Sequence, residues 1–486
     1  MLTATRTLSA LQPHAAACHA LWQLDATKLQ RLYAAGEVSP VEVLASVHAR
    51  MAQVDPKVHA MVAQDQDQAV AQAQASAARW RAGQPWSALD GVPLTIKDNL
   101  HVQGLPCTWG SALYRDHQPT HDEGPVHRLR AAGMVLLGKT NVPEFTLLGY
   151  TDNRLHGCTR NPWDLRLTPG GSSGGAVAAV ASGIGPVALA TDGGGSIRRP
   201  CAHTGLVGLK PSAGRVPRAG GLPDVLSGME VVGPIARCVS DLVALLQVLG
   251  GAAPADVANL PQQPPRIAYW RTLADHPVDS QVLAACDAQA EHLQALGCTV
   301  VAEAAPAEVD AFNQRAWPVL SATGLAQMLA PHAQRQGVAA VEAQMTEAMV
   351  ALWQQGRRCT AADLQAAQQV VQALRHAMQQ YWQCYDWVLT PCAAALPWPA
   401  TQTHPSHIAG QPVGPRGHAV FTAFVNACGL PALALPAGTS REGWPIGLQL
   451  VGRAHSDDAL LALGQQLQQR GGAAWQWPAL TADAIS

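Results

Sequence analysis

Two glycine-rich segments in the middle of the chain carry hydroxyl side chains at positions where chemistry could be done. Thr168-Pro169-Gly170-Gly171-Ser172-Ser173-Gly174-Gly175 opens into the apolar run Ala176–Ser182. The two serines therefore stand at the start of a helix, among main-chain N–H groups that have no intrahelical partner. Shortly after comes Thr191-Asp192-Gly193-Gly194-Gly195-Ser196-Ile197-Arg198. Glycines directly ahead of a serine let the backbone turn several N–H donors toward one point, which is how nucleophilic acyl transfer holds an oxyanion. A purely structural turn has the same composition, and glycines alone do not separate the two.

Lysine usage adds a second feature. Of 32 basic residues the lysines are Lys28, Lys57, Lys97, Lys139 and Lys210, and the rest are Arg. Lys97 ends Gly91-Val92-Pro93-Leu94-Thr95-Ile96-Lys97-Asp98, directly after an apolar strand. In apolar surroundings a lysine loses its proton more readily and becomes a base, which Arg cannot do. A strand-end charge that snorkels to solvent would read the same way from this segment alone. No lysine follows a serine at the S-x-x-K spacing.

Other matches carry less. Gly133–Thr140 fits the P-loop expression, but its central residues are strand-like and Pro143 follows at once, so no phosphate loop is expected. Gly170–Gly174 fits G-x-S-x-G, yet a loop rather than a strand leads into Ser172. His117 and His121 are spaced for one helix face, but Pro119 lies between them and H-E-x-x-H is absent, so no metal site is expected.

The elements that must position these residues follow from periodicity. Residues 22–80 read as helical: Gly36 closes one helix, and Ser39-Pro40-Val41-Glu42 is a capping box opening the next. Beyond Gly91, apolar strands at Val92–Ile96, Met134–Leu137 and Pro186–Ala190 alternate with helices at His121–Ala132 and Gly175–Ser182. Gly, Ala and Pro crowd together over Gly250–Pro265 as a surface connection. Residues 275–385 read as mostly helical, with Trp317, Trp353 and Trp382 interspersed. Strands return at Trp387–Thr390 and Ile446–Val451, and a last helix starts near Ser456.

Composition bounds the answer. With 486 residues, the chain has room for roughly two to four domains or one large α/β unit. Charged residues make up 14% against 48% hydrophobic ones, which describes a compact globule. The net charge of −2 gives no basic face for nucleic acid, and no apolar run reaches the ~18 residues of a membrane span. Met1–Ala20 has Arg6, but Gln12, His14 and His19 break any apolar signal core, so no secretory signal is expected. Eleven scattered cysteines without a C-x-x-C pair fit reduced thiols and a cytoplasmic location.

Taken together the motifs resemble the amidase signature family. They are GVPLTIKDN (91–99), GKTNVPEF (138–145), TRNPWD (159–164), TPGGSSGGAVAAVASG (168–183), TDGGGSIRRP (191–200), GLVGLKPSAGRVP (205–217), GLPALALPAG (429–438) and PIGLQLVG (445–452). The resemblance implies an α/β/α sandwich around one large mixed sheet, working without metal or cofactor. It implies one amidase domain over 1–486: N-terminal helices at 20–80, a catalytic core at 85–250, a helical substrate-shaping insertion at 275–385, and strands at 386–475 that rejoin the core.

Position by position, the resemblance makes Ser196 the nucleophile, Lys97 the general base, and Ser172 the bridging serine, joined to Gly171 by a cis peptide. The N–H groups of Gly193, Gly194, Gly195 and Ser196 are the implied oxyanion hole, with Ser173, Thr191, Asp192 and Arg198 in support. Arg199 and Cys201 depart from the family pattern, standing where an apolar residue and Ala are common. The implied reaction is hydrolysis of a small, hydrophobic or aryl amide, extending to esters and carbamates (urethanes), by a monomer or homodimer acting on a small molecule. Three other functions fit the same residues: the glutaminase-type A subunit of a glutamyl-tRNA amidotransferase, an α/β-hydrolase-like esterase, and a non-catalytic binding protein on this scaffold.

Overall fold

The computed structural model describes residues 18–250, 264–470 and 474–480. Most of the N-terminal stretch read for a signal and most of the Gly250–Pro265 connection lie outside the described residues. In chain order the strands are β1 (Met61–Ala63), β2 (Pro93–Lys97), β3 (Val135–Thr140), β4 (Val187–Asp192), β5 (Val207–Lys210), β6 (Val231–Ala236), β7 (Arg266–Tyr269), β8 (Thr299–Ala302), β9 (Trp387–Pro391), β10 (His407–Ile408), β11 (Gln411–Pro412), β12 (Ala432–Thr439) and β13 (Pro445–Gly452). Eleven of them form one mixed sheet in the order β1-β3-β2-β4-β6-β5-β12-β13-β9-β7-β8, while β10 and β11 pair separately.

The sheet has a parallel block toward each flank, one of them edged by the antiparallel β1, and is antiparallel in the middle. β2 runs parallel to β3 and β4, and β7 runs parallel to β8 and β9. From β4 through β6, β5, β12 and β13 to β9 every pairing is antiparallel. The apolar runs expected as strands are buried along their whole length, because both faces are covered. In β4, Val187 and Leu189 join one apolar cluster while Ala188 and Ala190 join another, as a period of two requires.

The helices are α1 (Ala26–Ala35), α2 (Pro40–Val58), α3 (Gln66–Arg81), α4 (Gly124–Ala131), α5 (Gly174–Ser182), α6 (Arg198–Thr204), α7 (Val239–Gly250), α8 (Ser280–Ala295), α9 (Ala307–Ala311), α10 (Trp317–Gln336), α11 (Val338–Glu342), α12 (Glu347–Arg358), α13 (Ala361–Tyr381), α14 (Ala423–Ala427) and α15 (Asp457–Gln469). The capping box forms as expected: Ser39 Oγ accepts from Glu42 N–H, and Glu42 Oε2 accepts from Ser39 N–H at 2.8 Å. Gly36 closes α1 in the left-handed region.

Two stretches read as helical contain strands. β1 lies inside 22–80 and pairs with β3, and β8 lies inside 275–385 at the far edge of the sheet. Both are only three or four residues long and neither is fully buried, so neither shows the alternation that marks a strand. The continuous helical region is therefore α9 to α13, in which α10 and α12 approach until a Cβ on Gly356 would meet Ala322 O at 1.9 Å.

Candidate active site

The carboxyl ends of β2 and β4, neighbouring parallel strands, meet the loops that enter α5 and α6. Lys97 is the last residue of β2, and Thr191 and Asp192 end β4. Binding crevices of α/β sheets lie beyond such strand ends. Lys97 Nζ is hydrogen-bonded to Ser172 Oγ at 2.8 Å, to Thr191 Oγ1 at 2.9 Å and to Thr191 O at 3.0 Å. The Gly171–Ser172 peptide is cis, as the family resemblance implies. Ser173 N–H donates to Ser196 O at 3.3 Å, which ties the two serine loops together.

Exposure rises along this path, from 0% at Lys97 and 1% at Ser172 to 7% at Ser196. Ser196 is the most exposed of the three. Burial pushes the Lys97 ammonium down to about 7, against the pull of the Glu230 and Asp192 carboxylates. Lys210 is pushed down as far by burial, but its bond is to the Pro211 carbonyl. Lys139 pairs with Asp98 at 2.9 Å, and that carboxylate holds its pKa above the ordinary value despite burial. Lys97 is thus the buried lysine that combines a lowered pKa with a serine hydroxyl in reach.

The glycine loop is held by Asp192 and Arg198. Asp192 accepts from Gly195 N–H at 2.7 Å and from Ile197 N–H at 3.1 Å, and pairs with Arg198 at 2.9 Å. Burial opposes the Asp192 charge, but the Arg198 guanidinium, Lys210 and Gly195 N–H outweigh it and hold the carboxyl well below the usual range. Arg198 also reaches Gln449 Oε1 at 2.8 Å, Thr422 O at 3.0 Å and Asn426 Oδ1 at 2.6 Å. On the other side of the Gly194–Gly195 peptide, Gly194 O accepts from Arg199 Nη1 and from Thr422 Oγ1.

This arrangement corrects one expectation. Gly195 N–H is spent on Asp192 and does not face an oxyanion, whereas the N–H groups of Gly193, Gly194 and Ser196 have no partner among the described residues. Gly195 also adopts φ +113°, and a Cβ there would meet Thr422 Oγ1 at 2.3 Å, so the position requires glycine. The supporting residues Gly171, Ser173, Thr191, Asp192 and Arg198 all lie around this loop. Gly171 packs so closely that a Cβ would strike the Tyr150 backbone, and Ser173 Oγ donates to Thr191 O at 3.3 Å.

The sequence reading missed Asn99, which donates to Thr191 Oγ1 at 3.0 Å, and Thr422, Asn426 and Gln449. Asn99 closes the quoted GVPLTIKDN motif and Gln449 lies within PIGLQLVG, so both had a signal. Thr422 and Asn426 had none. Of the two tryptophans considered for the pocket, Trp317 lies against Gly194, where a Cβ would meet Cη2 at 2.4 Å, while Trp353 is core, packed among Leu325, Met349 and their neighbours.

The misleading motifs resolve as expected. Val135–Thr140 of the P-loop match is a strand, with Lys139 bound to Asp98. No strand leads into Ser172, so the G-x-S-x-G match forms no nucleophile elbow.

Comparison with known proteins bears on the family and the fold. A family model described as Amidase matches residues 42–461. The A subunit of glutamyl-tRNA(Gln) amidotransferase from Symbiobacterium thermophilum is 33% identical over 479 residues, covering 92% of this chain and 96% of the relative. Its namesake from Roseiflexus castenholzii is 35% identical over 483 residues, with the same coverage. Among solved structures, 6-aminohexanoate cyclic dimer hydrolase complexed with substrate superposes with a TM-score of 0.84 at 28% identity, covering 95% of this chain and 99% of that one. A bacterial aryl acylamidase of the amidase signature enzymes gives 0.84 at 28% identity, covering 94% and 98%. With its mixed sheet and a family match across most of its length, the chain belongs to the amidase signature family.

Proposed function

We propose that this chain is a serine amidohydrolase that cleaves the C–N acyl bond of a small amide through an acyl-Ser196 intermediate. The observation that carries the reading is the 2.8 Å contact between buried Lys97 Nζ and Ser172 Oγ. With its pKa lowered to about 7, Lys97 is substantially a neutral amine near pH 7. Two N–H bonds then go to Thr191, and the nitrogen lone pair is left to accept the Ser172 proton. As Ser196 Oγ attacks the acyl carbon, its proton passes to Ser172 while the Ser172 proton passes to Lys97. The oxyanion meets the N–H groups of Gly193, Gly194 and Ser196, a stabilisation of about 10²–10³ in rate per donor. The C–N bond breaks as the relay returns a proton to the leaving nitrogen, and water repeats the cycle on the ester.

The Trp317 ring edge beside Gly194 supports an apolar or aryl substrate body. Ester and carbamate acyl groups follow the same course. Ser196→Ala is expected to abolish both amide turnover and covalent labelling by a sulfonyl fluoride read by intact mass. Full activity in that variant would sink the assignment, and an adduct at Ser196 in the wild type removes a purely non-catalytic role.

A second reading, as the A subunit of a glutamyl-tRNA(Gln) amidotransferase, is favoured by the relatives of that name at 33–35% identity. In that reading the same site works inside an assembly that serves tRNA. The net charge of −2 bears only on this chain's own surface, so whether the chain works alone separates the two.

A further inference from the structure

The proposed relay protonates Lys97 at its midpoint, and an ammonium formed in a fully buried place needs a counter-charge. The hydrogen-bond partners of Lys97 Nζ, Ser172 Oγ and the two oxygens of Thr191, are all neutral. Burial disfavours the ammonium, and two carboxylates oppose burial, Glu230 first and Asp192 second. Asp192 is already bonded through both oxygens to Arg198. Glu230 is the residue directly before β6. Because Val231 of β6 stands opposite Asp192 of β4, the pairing of these strands brings Glu230 to the same end of the sheet as Lys97.

Side chains join the two groups in space. Thr191 Oγ1, 2.9 Å from Lys97 Nζ, accepts from Asn99 Nδ2 at 3.0 Å, and both Glu230 oxygens lie 3.5 Å from that same Nδ2. Asn99 Oδ1 is buried without a partner, so the amide keeps its NH2 toward Thr191 and Glu230 and leaves its carbonyl unbonded. Turned over, it would set that carbonyl against the carboxylate. Arg218, from the segment between β5 and β6, donates to Glu230 Oε1 through Nη1, to Glu123 Oε1 through Nε and to Asn99 O through Nη2 at 3.3 Å. The other Glu123 oxygen accepts from His101 N–H at 3.2 Å. Two carboxylates thus share one guanidinium, and among the described residues no second cation bonds either of them. Burial pushes His101 down to about 4 and holds His117 below its ordinary value, so the nearby imidazoles stay neutral at pH 7. Of the cations that act on Lys97, Arg218 belongs to this group and Arg199 is bonded to Gly194 O and Thr422 Oγ1.

We propose that the Glu123–Arg218–Glu230 triad, with one carboxylate more than it has guanidiniums, is the counter-charge of the Lys97 ammonium, and that Glu230 and Asn99 are positioning residues acting on Lys97 through Thr191. While Lys97 is a neutral amine the triad carries one negative charge in excess. The proton that leaves Ser172 for Lys97 Nζ matches that charge, and the proton returned to the leaving nitrogen uncovers it again. No bond changes beyond those of the relay. A hydrolase triad uses a carboxylate in the same sense, to steady the imidazolium that forms as its nucleophile attacks. Arg218 limits the effect, since a bare pair of carboxylates would hold the proton on Lys97 at neutral pH and leave no base. The inference rests on Lys97 being the base of the proposed relay.

Titrating Lys97 itself tests this without turnover. The chain has only Lys28, Lys57, Lys97, Lys139 and Lys210, so the full-length protein isotope-labelled at lysine Cε gives few resonances, and the one that Lys97→Arg removes belongs to Lys97. In Glu230→Gln its midpoint is expected to fall by about one pH unit, and in Arg218→Gln to rise. Both variants break the same ion pair, so a merely structural disturbance moves the midpoint the same way in each, whereas a charge effect moves it in opposite ways. Glu230→Asp returns most of the shift seen in Glu230→Gln. In the hydrolysis of p-nitroanilides, kcat falls by up to about tenfold in Glu230→Gln while KM holds, and the acid limb of the pH–rate profile follows the Lys97 midpoint. A midpoint unmoved in Glu230→Gln, or displaced the same way by both variants, overturns the proposal. Failure of wild-type Ser196 to take up a sulfonyl fluoride speaks against the acyl-enzyme reading instead, while the Lys97 midpoint still decides the counter-charge.

Discussion

Three buried lysines in one molecule show how little a residue's type decides by itself. Lys139 keeps its charge because Asp98 stands 2.9 Å away, Lys210 loses basicity to burial beside a carbonyl, and Lys97 loses it beside a serine hydroxyl. Only the last arrangement sets a lysine of lowered pKa against a hydroxyl, as the proposed relay requires. Because the proposed relay works through the neutral amine and its pKa is lowered to about 7, activity is expected to rise as pH increases through about 7 and to fall away below it. Lys97→Ala should cut kcat by about 10²–10⁴ and remove that limb from the pH–rate profile. An unchanged limb would mean that another group titrates. The two tryptophans differ in the same way. Trp353→Ala opens a core cavity and should cost about 3–5 kcal/mol, read as a lower midpoint in urea. Trp317→Ala should instead raise KM for aryl amides.

At the scale of elements, the site is a loop braced from several directions. The Asp192–Arg198 pair is fully buried and bonded to three later residues, so Asp192→Asn leaves an uncompensated guanidinium and should cost about 3–5 kcal/mol of stability, seen as a fall in Tm. The Asp192 pKa is depressed by folding. Its stabilising contribution is therefore complete above the unfolded value of about 3.9 and fades only as pH falls toward the lower folded value. Acid inactivation near neutrality then belongs to Lys97, and thermal melts at pH 5 and 8 should show the Asp192→Asn deficit undiminished. Farther out, the close approach of α10 and α12 depends on Gly356, whose added Cβ would strike Ala322 O. Gly356→Val is expected to destabilise by about 1–3 kcal/mol in a melt while Ser196 still reacts with a sulfonyl fluoride.

For the whole molecule, one sheet spans the chain from residue 61 to residue 452, so the glycine–serine loops and their braces share a single support. Among the described residues no helix is long and apolar enough to cross a membrane. The purified chain on its own is expected to hydrolyse p-nitroanilides, with the Ser196→Ala chain as blank. Activity that appears only on adding other subunits would favour the amidotransferase reading.

The sequence by itself determined the local features whose causes are local. Apolar runs buried on both faces became β2, β3 and β4; the capping box at Ser39 and the left-handed stop at Gly36 bounded α1 and α2; and the glycine–serine spacing, with Lys97 at a strand end, marked the catalytic loops. Tertiary structure decided what depends on which strands become neighbours. It placed Lys97 against Ser172, and it spent Gly195 N–H on Asp192, a competition between two acceptors that no spacing rule encodes. It brought Thr422 and Asn426 from the end of the chain to the glycine loop, and it put Trp317 at the site but Trp353 in the core. The physical reason is that hydrogen bonding, desolvation and ion pairing act over a few ångströms in space. Only the order in which strands join the sheet sets which residues come within that range.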